Sequence, residues 1–544
     1  MATADPNDPD VTPDMVDPTA PASVIIRSKA RPPNEDPTVG IPVSPPDGSD
    51  AENRLVVIGD SIAHGFQSNA IFNTDISWPS IVAWEMGWDD HFRFPKYQGF
   101  GGLPLNIEYL IRILESEYGR RLSAGEFVQA LFRLRSEMDK IEDWWERGGG
   151  TSIPNVAGIN HNLAIYGWDV RDALARTFKV CQDGIKKPKD DLLSQMVEDA
   201  NDRAALRVLP QKPNSLSAVA AAAALGKDGG IETLVVGLGA NNALGSVVSL
   251  EPKWSQERPV KAGVPAYQDL DAKKAFNVWD PDHFKVEWDA LINEIEAIDA
   301  KHVIVATVPH VTVAPIARGV GRDKLRIGSR YFPYYTRPWI NDSSFNRHDD
   351  PYITGVQARA IDSAIDQYNE CIVASVKRQR QAGKDWYVLE ICGLLDGLAQ
   401  RRYIEDSNAR PPWWTQYELP GVLKSLKPPP DSHFFSSDET GRLQGGLFAL
   451  DGVHPTTIGY GIIAQEVIKI MQMAGVQFYF GNTPTSAIGT ATKRVGPVAV
   501  DFQRLVDRDS LVSKPPKNLA NAVEIIGWLD EKLDWVKRMA RNLT

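Results

Sequence analysis

Two short segments of this chain combine residue types that do nucleophilic chemistry. The first is Val56-Val57-Ile58-Gly59-Asp60-Ser61-Ile62-Ala63-His64-Gly65. An apolar run ends in Gly-Asp-Ser and a helix is expected just after it. Ser61 then stands at the C-terminal edge of a sheet, where open α/β folds place their ligands. Its own N–H points into the same space with a helix dipole behind it, which suits a developing oxyanion. The second segment is Leu450-Asp451-Gly452-Val453-His454-Pro455, ahead of a helix-like stretch at Thr457–Met473. A serine hydroxyl is a weak nucleophile until a base takes its proton. That base works best when a carboxylate fixes its tautomer. Three residues of spacing let Asp451 reach the His454 ring and aim the other nitrogen at Ser61. Each segment alone has an ordinary structural explanation, as a capping serine or a chance Asp-x-x-His.

Two more strand ends add to the pattern. His161-Asn162-Leu163-Ala164-Ile165-Tyr166-Gly167-Trp168-Asp169 closes a strand at a glycine, and Val235-Val236-Gly237-Leu238-Gly239-Ala240-Asn241-Asn242 runs into two amides. Glycine permits close backbone approach to a reacting carbonyl, and an Asn side chain can donate an N–H. The order Ser, Gly, Asn, Asp/His resembles the SGNH hydrolase family, also called GDSL esterases or lipases. The resemblance spans roughly residues 54–475, although its motifs cover only about forty of them. It implies Ser61 as nucleophile, with Gly59 and Asp60 making the turn before it. It implies Ser61 N–H, Gly167 N–H and the Asn241 side chain as the oxyanion hole, and Asp451 and His454 as the acid–base pair. Gly65 fits the glycine four residues after the serine. One departure is local: the family often carries Gly-x-Asn-Asp, and this chain reads Gly239-Ala240-Asn241-Asn242.

The activity implied is carboxylic ester hydrolysis through an acyl-enzyme, on a small-molecule or lipid ester and without a cofactor. Thioester cleavage, acyl transfer or a non-catalytic binding role on the same fold are the alternatives. Trp168, next to Gly167, and His310, closing Val308-Pro309-His310, are expected to line the substrate cleft. His64 and His161 are weighed as substrate contacts against structural histidines. His283 and His348 have acidic neighbours but no metal-ligand spacing. The chain lacks a Gly-x-Ser-x-Gly elbow, a dinucleotide-binding glycine motif and a phosphate-binding lysine loop.

The elements that must position these residues read as α/β. Short apolar runs at Leu55–Ile58, Asn162–Ile165, Thr233–Leu238, His302–Val308 and Trp386–Ile391 predict five strands covered on both faces. Helical stretches such as Val356–Arg380 separate them. The expectation is a three-layer α/β/α, flavodoxin-like sandwich with a five-stranded parallel sheet. Insertions at about 66–158, 309–355 and 393–447 are too long for simple loops. Residues 1–53 hold eleven of the 38 prolines, with ten acidic and three basic side chains. They read as a disordered or extended tail. Residues 476–544 read as an appendage with a terminal helix near Ala520–Asn542.

Composition narrows the function classes. The tail carries much of the net charge of −11, and no basic stripe suggests nucleic acid. The longest small-apolar run, Ala218 to Leu225, falls short of the ~20 residues of a membrane span. Three scattered cysteines and an N-terminus without a basic, then apolar, leader predict a cytoplasmic protein. Oligomeric state is not legible.

Overall fold

Aliphatic residues that are apolar at every position need cover on both sides of a strand, and this chain supplies it. A computed structural model describes residues 1–44, 51–97, 99, 101–119, 124–154, 158–188, 197–255, 269–271, 274–480, 492–517 and 519. Four parallel strands form the central sheet: β1 (Asn53–Gly59), β2 (Ile231–Gly237), β3 (Ala300–Ala306) and β4 (Trp386–Leu389). Their spatial order is β4-β3-β2-β1. Gly59 stands opposite Gly237, and Leu389 opposite Ala306, so each pair ends in register at the same edge.

The helices that matter for the site are α1 (Ser61–His64), α2 (Trp78–Glu85), α3 (Ala218–Lys227), α4 (Pro281–Ile295), α5 (Gly355–Gln381) and α6 (Thr457–Met473). Alternate strand residues go to different helices, as a period of two requires. Val56, Ile58, Leu234, Val236, Val303 and Val305 pack with residues of α3, α4 and α5. Leu55, Val57, Val235 and Ile304 pack with α2 and α6. Each such side chain contributes about 1.5–3 kcal/mol of burial. That two-sided burial holds the strand ends, and so the site, in place.

The expected fifth strand is corrected. Asn162–Ile165 meets β1 only through an isolated bridge, Val57 to Asn162. Val57 N donates to His161 O at 2.8 Å, Leu163 N to Val57 O at 2.8 Å and Ile165 N to Gly59 O at 3.1 Å. The reason lies in Asn162, whose Oδ1 accepts the Ala164 N–H at 3.1 Å while its Nδ2 donates to Ala63 O. Such an Asx-type turn competes with extended pairing. The segment still lies beside β1, on the side away from β2. The chain therefore steps to one side of β1 and then to the other, so the order of the chain across the sheet reverses at β1.

The insertions carry structure of their own. The first holds helices Ile107–Tyr118 and Ala124–Glu146, the second a small sheet that includes Tyr334–Thr336, and the third the hairpin of Ser436–Asp438 with Gly441–Gln444. Residues 1–44 run along α5 and past β4. There Ile25 N donates to Gln367, Arg31 pairs with Glu390 at 2.9 Å and Val388 N donates to Pro37 O. Helix Phe502–Arg508 packs on α6 through Leu505 and Phe502 beside Gly461. The terminal helix expected near 520–542 lies outside the described residues. No helix among the described residues is long and apolar enough to cross a membrane.

Candidate active site

β1 delivers Ser61 to the sheet edge through a turn with no room for a side chain. A Cβ on Gly59 would stand 2.9 Å from that of Ala63 and 3.2 Å from Gly237 O. Asp60 then caps α1, its Oδ1 accepting the Ile62 N–H at 3.0 Å. Gly65 closes the helix at φ 89°, a conformation that costs glycine little.

The opposing residues come from the loop before α6. Asp451 Oδ1 accepts the Val453 and His454 N–H groups, both at 2.9 Å, and its Oδ2 accepts Asn69 N–H at 2.9 Å. His454 Nδ1 donates to the same Oδ2 at 3.0 Å. With Nδ1 committed as donor, Nε2 is left as acceptor, and it lies 2.8 Å from Ser61 Oγ. Burial alone would raise the Asp451 carboxyl. The His454 ring and the hydrogen bonds that reach it hold it below the usual range instead. It is therefore ionised at neutral pH and fixes the tautomer that a general base needs. The Phe66 ring, 4.6 Å from the imidazole, closes one side. Ser61 keeps 3 % of its surface exposed and His454 1 %. The pair is shielded from bulk water, and charge–dipole interactions are stronger there than in solvent.

The structure brings the two expected oxyanion segments together. Asn241 Nδ2 donates to Trp168 O at 2.9 Å, next to Gly167, whose φ is 72°. Its Oδ1 is buried with no hydrogen-bond partner among the described residues. Asn242, where the resemblance calls for Asp, has a clear reason to be an amide. Its Nδ2 donates to Glu287 Oε2 at 3.4 Å and its Oδ1 accepts Val170 N–H at 3.4 Å. Glu287 also receives Arg171 Nε at 2.6 Å and Trp279 Nε1 at 2.7 Å. A carboxylate at 242 would face a second carboxylate in a buried site. Burial pushes Glu287 up to about 8 against the pull of Arg171, so a second carboxyl at 242 would add to that cost, whereas Asn242 supplies a neutral donor.

Two expected cleft residues are elsewhere. Trp168 is wholly buried in the core, its indole N–H donating to Asn201 Oδ1 at 3.0 Å. The Gly167 turn points it inward, so its neighbour's role does not extend to it. His310 is also buried, donating from Nδ1 to Asp396 at 3.0 Å and from Nε2 to Asp366 at 3.1 Å. Two carboxylates occupy both ring nitrogens, and neither is open to substrate.

The other histidines are structural too. His64 Nδ1 accepts Tyr166 N–H at 3.0 Å, and its Nε2 bonds the Tyr97 hydroxyl at 2.8 Å. Burial pushes its pKa down to about 3, so it stays neutral and pins the backbone just before Gly167. His161 Nδ1 accepts Arg93 N–H and its Nε2 bonds Asn53 Oδ1. Sequence reasoning missed the supports of the site: Asn69, Tyr97, Arg171 and Glu287. Only Glu287 left a trace, as a carboxylate on an otherwise apolar face of a helix.

Among the described residues, His310, Cys392 and Asp396 are the group of His, Cys, Asp or Glu close enough to hold a metal ion. Its histidine is already paired to two carboxylates. No family model matches the chain, and no curated protein or solved structure is significantly similar to it.

Proposed function

We propose that this protein is a serine hydrolase that cleaves carboxylic esters through an acyl-enzyme, on a flavodoxin-like α/β/α frame. The observation that carries this reading is the buried hydrogen-bonded line from Asp451 through His454 to Ser61. Its position at the C-terminal end of β1, where the chain order reverses once the bridged segment is counted, supports it. The three cysteines are unpaired, which fits a reducing compartment and a cytoplasmic location.

Ser61 Oγ attacks the ester carbonyl while its proton passes to His454 Nε2. Ionised Asp451 stabilises the imidazolium. The oxyanion is taken by Ser61 N–H, Gly167 N–H and Asn241 Nδ2, with Asn242, Glu287 and His64 holding those donors in place. His454 returns the proton to the leaving alkoxide, and the alcohol departs. Water then gives its proton to His454 and attacks the acyl carbon, releasing the acid and Ser61.

The test is p-nitrophenyl ester hydrolysis over a series of acyl lengths, for wild type and Ser61→Ala, with circular dichroism to check folding. The expected loss in Ser61→Ala is at least about 10³-fold, with labelling by a fluorophosphonate probe in wild type only. Product analysis separates free acid from acyl transferred to an added alcohol, and a thioester series tests the other leaving group. If folded wild type turns over no ester or thioester and takes no probe, the hydrolase reading fails and a binding role replaces it.

A further inference from the structure

Beside the catalytic loop lies a cavity of about 450 Å³, walled by the Thr312–Ala314 turn, Arg330, Phe332 and the aromatic run at 433–435. It shares a wall with the loop that carries Asp451 and His454. Ile316 N donates to Gly452 O at 2.9 Å, and a Cβ on Gly452 would meet the Phe434 ring at 3.0 Å. Phe434 and Pro315 also line the cavity.

Four arginines reach this lining, and three have acceptors. Arg318 bonds Asp342, Arg401 donates to Gly319 O and Gly321 O, and Arg402 pairs with Asp362 at 3.0 Å. Arg330 is different. Its Nε donates to the Tyr331 hydroxyl at 2.7 Å, and that hydroxyl donates onward to Asp362 at 2.9 Å. Both Nη atoms are buried with no hydrogen-bond partner among the described residues. The residue keeps only 4 % of its surface.

Burial opposes its charge, and Tyr331, Asp362 and Asp366 hold it cationic from nearby, but none of them bonds either Nη. The guanidiniums of Arg330, Arg359 and Arg402 all stand within 5.4 Å of the Tyr331 ring centre. Asp362 is already engaged by Arg402 and Thr312. Asp366 and Asp396 are taken by His310. Buried N–H donors with no acceptor are costly. A guanidinium fork with two free Nη groups fits a planar carboxylate or a phosphate.

We propose that the Arg330 cavity is an oxyanion-binding site for a carboxylate or phosphate group. Resting on the ester-hydrolase reading, that group is the charged end of the substrate, set apart from the bond cut at Ser61. The aromatic walls at Phe332, Phe434 and Phe435 take the apolar part between.

The test uses the full chain in two arms. In the first, glutarate and inorganic phosphate are titrated separately by calorimetry into wild type, Arg330→Met and Arg330→Lys. One anion is expected to bind wild type, at least about ten-fold weaker in Arg330→Met, and the one that binds identifies the source. Arg330→Lys keeps the charge without the fork and falls between. Circular dichroism and a melting curve check that ligand-free Arg330→Met and Arg330→Lys are folded at the titration temperature. In the second arm, p-nitrophenyl hemiglutarate is compared with p-nitrophenyl valerate. The preference for the anionic ester should fall at least about ten-fold in Arg330→Met. If neither anion binds wild type, or if Arg330→Met binds as tightly, the site is overturned. Anion binding lost in Arg330→Met without turnover of any ester upholds the site and sinks the hydrolase reading instead. Equal turnover of both esters without anion binding sinks the site and keeps the hydrolase.

Discussion

His454 and His310 are both buried histidines in loops at the C-terminal edge of the fold, and both are held by aspartates. His454 meets one carboxylate and one hydroxyl. His310 meets two carboxylates, with Cys392 Sγ 3.6 Å from its Nδ1. That single difference separates a ring with a nitrogen left to accept a proton from a ring with none. One carboxylate fixes a tautomer and leaves the second nitrogen a lone pair to accept a proton. Two carboxylates turn both nitrogens into donors, and the ring becomes a fixed cation. Burial works against that charge, but Asp396, Cys392, Asp362 and Asp366 hold the His310 pKa well above the ordinary value. His64, with no carboxylate in contact, is the third case and stays neutral. The number of carboxylates at the ring, rather than burial, sorts the three.

On the proposed mechanism, the largest effect should come from removing the one carboxylate that orients His454. Asp451→Asn keeps the shape but presents an amide donor to Nδ1, so the ring takes the wrong tautomer. A loss of about 10⁴-fold in kcat is expected, with KM little changed and melting temperature within a few degrees. A loss under ten-fold would mean that Asp451 does not orient His454 as base. His310→Gln should behave in the opposite way. It removes the cation between Asp366 and Asp396, leaving buried carboxylates unpaired, and should cost about 3–5 kcal/mol of stability in urea. Turnover per folded molecule, counted by active-site titration with a fluorophosphonate, should be retained. The pH dependence follows from the sign of the shift. Because His310 is raised, its stabilisation is complete below the ordinary histidine pKa, declines as pH climbs above it and is gone once pH passes the elevated folded value. Asp366 and Asp396 are lowered, so theirs is complete above the ordinary carboxylate range and lost as pH falls into strong acid. Wild type should therefore lose stability as pH rises above the ordinary histidine pKa, and His310→Gln should lack the part of that decline that belongs to this ring.

How much of this was legible follows from sequence distance. The line Asp451–His454–Ser61 could be read because two members share one loop and the third ends a strand, and both signals are local. The four strands could be read because continuous apolar runs demand cover on both faces. The fifth failed because Asn162 makes a side-chain turn that hydropathy does not register. The role of His310 could not be read, since its partners Asp366 and Asp396 lie 56 and 86 residues away. Trp168 was misplaced because a glycine at φ 72° reverses the chain, and the direction of the next side chain depends on that angle. Asn242 looked like a departure from a motif. Glu287, 45 residues on in α4, explains it.

The same contrast recurs in miniature around His454, between two aspartates, and gives the smallest effect. Asp451 receives the Nδ1 donor and three backbone N–H groups and is held low. Asp60 receives the Ile62 N–H, and burial pushes it up to about 6, with that hydrogen bond and His454 opposing only in part. A raised carboxyl binds its proton more tightly in the folded state than in the unfolded chain. Ionising it therefore subtracts stability, beginning near pH 4 and complete above about pH 6. Asn in place of Asp60 keeps the oxygen that accepts Ile62 N–H and removes the ionisation. Asp60→Asn should be more stable than wild type at pH 8 by about 1–3 kcal/mol, and the gain should shrink toward zero by pH 4. Paired urea titrations at pH 4, 6 and 8 measure it. A gain that stays constant across that range would trace to packing instead, and a loss at pH 8 would mean that the Asp60 charge is compensated, erasing the contrast with Asp451.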